Sequence, residues 1–184
     1  STSRRQRQMC IRDSIIDGGD CSCGVESTVL CFSSPDRVRI LRPGGVTAEM
    51  LSELCAVDID PAVTSEPPKG AKVMSPGMKY KHYSPRAEVY IVNAHGDRFR
   101  DWCLTHSAEG TLALSADSHE HGMFRCFGSN VQEQAHRLFA LLREADEEGA
   151  EKVYVEMPSK DGIGLAVYNR LLRAAAFRVI ETDE

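Results

Sequence analysis

Apolar positions recur along this chain with two periods, and the periods sort it into two regions. Residues 25–30, Val25-Glu26-Ser27-Thr28-Val29-Leu30, alternate well enough to predict a strand. Residues 37–41 predict a second, with Val38 and Ile40 on one face. That strand stops at Arg42-Pro43-Gly44-Gly45, where a proline and two glycines end any ladder. Thr47 is placed to cap a short helix whose apolar side is Met50, Leu51 and Leu54. Two strands and one helix bury no stable core, so residues 15–56 read as the end of a β-rich unit.

From Ala87 the pattern is regular. Val89 and Ile91 mark a strand, and residues 97–106 a helix with Phe99, Trp102 and Cys103 on one side. Residues 111–115 form a strand with Leu112 and Leu114 inward. Asn130 caps a long helix, with Glu133 at the capping-box position and Gly149 past its end. Val131, Ala135, Leu138, Phe139, Leu142 and Ala145 share one face of it. Residues 152–157 predict a strand, 164–176 a helix and 177–181 a closing strand. Strands alternating with helices predict an α/β layer, a Rossmann-like domain over residues 87–184 with a mostly parallel sheet.

Between these regions, residues 57–86 hold five of the eight prolines and read as an extended, semi-rigid linker. Its middle is too specific for a spacer: Ser75-Pro76-Gly77-Met78-Lys79-Tyr80-Lys81-His82-Tyr83-Ser84-Pro85. Charge is placed unevenly. The net charge is −5, but four of the 22 basic and one of the 27 acidic residues precede Ile15, so the remainder carries 18 against 26, a net of −8. Residues 1–14 have no apolar period and no signal-peptide core, and read as a non-native junction. The acidic remainder argues against nucleic acid as a bulk electrostatic partner. No apolar run reaches the roughly 18 residues of a membrane span. Seven cysteines, an odd number in 184 residues, do not make a disulfide scaffold, and a reducing cytoplasmic setting is expected.

Several constellations are better read as structure. Cys21-Ser22-Cys23 lacks a second Cys/His pair at metal-ligand spacing. His119 and His121 flank Glu120 in an irregular loop, and Cys103 beside Trp102 reads as core. Gly162-Ile163-Gly164 falls short of a dinucleotide fingerprint and fits helix capping. No metal site is expected from protein ligands alone. Three segments remain. Gly24-Val25-Glu26-Ser27-Thr28 can present hydroxyls at a pocket. Arg42 stands at a strand end beside a tight turn, where a guanidinium suits bidentate phosphate or carboxylate binding. Lys79, Tyr80, Lys81, His82 and Tyr83 offer cations for a polyphosphate and rings for a base.

With Asp17-Gly18-Gly19, these segments occur in an order that resembles the two-domain L-threonylcarbamoyladenylate synthase family, the YrdC-type fold with an appended C-terminal domain. Tyr168-Asn169-Arg170-Leu171-Leu172-Arg173-Ala174-Ala175 also resembles the appended domain's last helix. The resemblance covers residues 15–184. It divides them into a remnant of the catalytic domain (15–56), the strap-bearing linker (57–86) and the appended domain (87–184).

The resemblance implies a nucleotidyltransferase of tRNA modification that joins L-threonine, bicarbonate and ATP, releasing pyrophosphate. A carbamate oxygen attacks the α-phosphate, with Mg²⁺ on the phosphates. A separate transferase complex then passes the threonylcarbamoyl group to tRNA. By position, Ser27 matches the residue that holds L-threonine. Arg42, Lys79, Tyr80, His82 and Tyr83 match ATP-binding positions, the last four on a strap across the cleft mouth. Association with tRNA or double-stranded RNA is also implied by the family. The Lys-x-Arg and Ser-x-Asn motifs of the family's N-terminal half have no counterpart here, and Asp20 stands where the family often has proline. The expectation is therefore the C-terminal half of the enzyme, inactive alone. The alternative is a non-catalytic module that senses a nucleotide or docks a partner.

Overall fold

The computed structural model describes residues 19, 21–66, 68, 85–117 and 120–182. The predicted junction and all of Lys79, Tyr80, His82 and Tyr83 lie outside the described residues.

Strand β1 (Val29–Ser34) turns at Pro35-Asp36 and pairs antiparallel with β2 (Arg37–Arg42). The predicted strand at 25–30 thus begins at Val29. Residues 24–28 lie outside the ladder, and Ser27 and Thr28 bond to a loop instead. Helix α1 (Ala48–Ser52) starts where the Thr47 hydroxyl accepts the Met50 N–H. Strand β3 (Ala56–Ile59) then returns parallel to β2. A 3-10 turn (Pro61–Val63), capped by the Asp60 carboxylate on Ala62 N–H, follows. Residues 57–63, which proline content assigned to the linker, are therefore ordered secondary structure. Pro61 fits because the first position of a helical turn needs no N–H donor.

The second sheet is built from β4 (Glu88–Asn93), β5 (Thr111–Ser115), β6 (Phe124–Cys126), β7 (Lys152–Glu156) and β8 (Val179–Glu181). Its order is β6-β5-β7-β4-β8 and every pairing is parallel. The expected α/β class with a mostly parallel sheet is met. Strand β6 was not foreseen, because three residues are too few to show a period. Helix α2 (Gly96–His106) covers one face, packing Phe99 and Cys103 against Val92, Ala113, Phe124 and Tyr154. Helices α3 (Val131–Glu147) and α4 (Gly164–Ala174) cover the other. The side changes because right-handed crossovers running in opposite directions put their helices on opposite faces. Buried on both faces, β5 and β7 show near-continuous burial and no clean alternation.

Burial pushes the Cys103 thiol up to about 12, with the Glu156 charge adding to the effect, so it packs as a neutral core group. Among the described residues, no helix is long and apolar enough to cross a membrane. Leu171 of α4 is fully buried in the larger core, whereas Leu104 of α2 is 65% exposed. Leu171→Ala should cost about 2–5 kcal/mol in urea unfolding, and Leu104→Ala about 0.5 kcal/mol or less.

Candidate functional site

Two loops of the small sheet meet face to face. One is Gly24-Val25-Glu26-Ser27-Thr28, entering β1. The other is Arg42-Pro43-Gly44-Gly45-Val46, leaving β2. Arg42 donates from Nε and Nη2 to the Ser27 carbonyl at 3.1 and 2.9 Å, and from Nη2 to Ser27 Oγ at 3.3 Å. Thr28 Oγ1 accepts the Val46 N–H at 3.2 Å and donates to the Val46 carbonyl at 2.6 Å. The Ser27 carbonyl, which a strand ladder could use, is thus taken by Arg42, and β1 begins two residues later. Gly44 makes the approach possible: a Cβ there would stand 2.2 Å from the Glu26 carbonyl oxygen and 2.4 Å from Thr28 N. The structure thus brings Ser27 and Arg42 together. It also shows that Arg42 spends much of its donor fork holding the Ser27 backbone.

The loop pair is mounted on the larger domain. Gly24, at φ +72°, lies against the backbone of Ala135 in α3. Val25 joins the main core and Cys23 packs beside it. Glu26 forms a half-buried ion pair with Arg170 of α4 at 2.6 Å. On the same helix, the adjacent Asn169 donates from Nδ2 to the Val63 carbonyl at 2.7 Å, and one turn on Arg173 donates from Nη2 to the Ala62 carbonyl at 2.6 Å. Burial, and Arg170 nearby, lower the Arg173 guanidinium from its ordinary value. From helix α1, beside the small sheet, the Glu49 carboxylate reaches the N-terminal end of α4 and accepts the Gly162 N–H at 3.3 Å.

That last contact borders a cleft of about 480 Å³ lined by Thr47, Glu49, Met50, Glu53, Gln132 and Asp161 among others. Three carboxylates make it a poor home for a polyphosphate. Neither Ser27 nor Arg42 lines it. The Gly162-Ile163-Gly164 segment opens α4, with Gly162 at φ +55°. Glu120 accepts from Cys126 N–H and Arg137, which lower its carboxyl from the ordinary value, and so ties down its loop. His121 is exposed and His119 lies outside the described residues. The Cys21 thiol is lowered by the N–H groups of Cys23 and Gly24. Sequence reasoning missed the roles of Asn169, Arg170, Arg173 and Glu49, since bonds across more than a hundred residues leave no local spacing signal.

A family profile described as "Threonylcarbamoyl-AMP synthase, C-terminal domain" matches residues 46–176. The chain belongs to that family. It is 36% identical over 174 residues to a threonylcarbamoyl-AMP synthase from Pyrococcus abyssi, covering 91% of this chain and 50% of the relative. It is 33% identical over 175 residues to one from Bacillus subtilis, covering 90% and 49%. It is 34% identical over 186 residues to one from Schizosaccharomyces pombe, covering 88% and 45%. Among solved structures, Pyrococcus abyssi Sua5 complexed with L-threonine superposes with a TM-score of 0.76 at 34% identity, covering 91% of this chain and 50% of that one. The family resemblance seen in the motifs holds, and the match is to the C-terminal half of Sua5 proteins. The chain spans about half the length of the curated threonylcarbamoyl-AMP synthases it matches.

Two outcomes test how the loops are mounted. Asn169→Ala strands the buried Val63 carbonyl without its donor and should lower stability by about 1–3 kcal/mol in urea unfolding. Glu49 is held below the ordinary carboxylate value by the Thr47 hydroxyl, its own N–H and Gly162 N–H. A lowered carboxylate contributes stability above its unfolded value and loses it as pH falls through the folded one. The Gly162 amide resonance should therefore titrate with a midpoint below that of an ordinary glutamate, and Glu49→Gln should abolish that titration.

Proposed function

We propose that this chain supplies one side of the active cleft of an enzyme that makes threonylcarbamoyl-AMP from L-threonine, bicarbonate and ATP, releasing pyrophosphate. The observation that carries the reading is the contact between Ser27 and Arg42, fifteen residues apart in sequence. It occurs in a chain whose relatives bear that enzyme's name, one of them solved with L-threonine.

In this reading the Ser27 hydroxyl, on an exposed loop edge, holds the threonine substrate. Arg42 fixes the Ser27 backbone and turns positive charge toward the nucleotide. The reaction needs the carbamate oxygen aligned on the α-phosphate and the phosphate charge neutralised, so positioning and fixed charge supply the catalysis. Lys79, Tyr80, His82 and Tyr83 would bring cations and rings to the nucleotide from the strap and keep water from a labile intermediate. The described residues around Ser27 do not fit a magnesium site. Glu26 is committed to Arg170 and the Thr28 hydroxyl to Val46. An ion accompanying the triphosphate would thus find on these loops one carboxylate, Glu26, paired with Arg170 through Oε1 and with Oε2 buried.

The small sheet fits a fragment of a larger YrdC-like catalytic domain. Phe32, Met50, Leu54 and Ile59 are between 43% and 84% exposed, an apolar surface suited to further strands and helices of that domain. The product would feed a transferase acting on tRNA in the cytoplasm. Binding of tRNA or double-stranded RNA by this chain itself draws no support from its negative charge.

The 184-residue chain alone should release no pyrophosphate from ATP with threonine and bicarbonate. Mixed with the N-terminal half of a relative that carries the Lys-x-Arg and Ser-x-Asn motifs, it should restore turnover, and Arg42→Ala should then lower the rate by about 10- to 100-fold. Robust turnover by the chain alone would overturn the division of labour.

A further inference from the structure

The five-stranded sheet reverses direction between neighbouring strands β5 and β7. The chain leaves β5 toward β6 and leaves β7 toward β8, on the opposite side. Open parallel sheets bind ligands in the crevice that such a reversal opens outside the carboxyl ends of the strands, often with a phosphate on a helix N-terminus. The donors that would meet a phosphate are present. Gly96 N–H opens the eleven-residue α2, Ser115 ends β5 and Ala116 N–H follows it.

All three are engaged by one side chain. Glu156, the last residue of β7, accepts Gly96 N–H on Oε1 at 3.0 Å. Its Oε2 accepts Ala116 N–H at 2.8 Å and Ser115 Oγ–H at 3.1 Å. Glu156 is only 5% exposed. His95 at the cap position of α2 makes no side-chain capping bond, and the acidic residue of its first turn is Asp97. His95 Nδ1 stands 3.7 Å from Glu156 Oε1 with its ring largely in solvent, and an Arg100–Asp117 pair at 3.1 Å flanks the end of β5.

The other two long helices are treated alike. Glu133 accepts Ser129 N–H at the start of α3, and Glu49 accepts Gly162 N–H at the start of α4. Each helix end that faces the carboxyl edge of the sheet thus receives a carboxylate from this chain.

We propose that Glu156 is a resident anion, occupying the phosphate position of the crevice and closing the five-stranded domain to nucleotides. The domain keeps the shape of a nucleotide-binding fold and serves as the body on which the Ser27–Arg42 loops are mounted. The proposal does not depend on what those loops bind.

The test follows the backbone amides of Gly96 and Ala116 by NMR in the 184-residue chain. In the unmodified chain, millimolar ADP or inorganic phosphate should leave both amides unmoved, whatever happens near Ser27. In Glu156→Ala, inorganic phosphate should shift both saturably and raise the melting temperature, which it should not do for the unmodified chain. Saturable movement of these amides by ADP in the unmodified chain would overturn the proposal. So would a folded Glu156→Ala that ignores phosphate. If Glu156→Ala does not fold, the ADP titration of the unmodified chain decides alone.

Discussion

The small sheet cannot stand by itself, and the Asn169 amide shows what holds it. Three short strands and a five-residue helix bury little: Val38, Ile40 and Leu41 of β2 are covered, but α1 has no buried residue. What they lack is supplied by α4, whose Asn169 and Arg173 take the Val63 and Ala62 carbonyls at the end of the 3-10 turn. A buried carbonyl left unpaired is expensive, so each bond ties the turn to one place on the helix. Val63, fully buried, adds apolar contact at the same point. The Glu26–Arg170 pair then fixes the other end of the small sheet to the next residue of the same helix.

This arrangement turns one amphipathic helix into a shared wall. Its inner face, Ala166, Val167, Tyr168, Leu171 and Leu172, fills the core of the larger domain. Its polar positions Asn169, Arg170 and Arg173 hold the loops that carry Ser27 and Arg42. A buried ion pair contributes little net stability after desolvation but is intolerant of wrong partners. That suits a contact whose task is to set the orientation of one sheet on another. Positioning therefore passes from core packing, through three polar side chains, to the hydroxyl and guanidinium at the candidate site.

Carboxylates recur at the helix starts for a related reason. Every helix N-terminus presents unpaired N–H groups and a positive dipole end. In a parallel sheet several of these ends gather on one edge, which favours an anion there. Glu133, Glu49 and Glu156 meet that demand internally. One comes from its own helix, one from helix α1 and one from a central strand. Only the first sits at a spacing that sequence can register.

Local order was legible wherever neighbours in sequence are neighbours in space. The Asn130 cap with Glu133, the Thr47 cap, the burial of Val38 and Ile40, and the α/β alternation after Ala87 all follow from short-range periodicity. So did the family, because its motifs lie in short runs. Strand β3, strand β6 and the late start of β1 were not legible. The first two are too short to show a period. The third depends on Arg42 and Val46, which reach residues 27 and 28 only after the chain has turned. Short-range pattern thus settles most of the elements, the class and the residue types of the candidate site. Tertiary structure alone decided that Ser27 and Arg42 touch, that α4 carries both domains, and that Glu156 fills the crevice. Those outcomes rest on contacts between residues 15 to 144 positions apart, and no local pattern encodes such a distance.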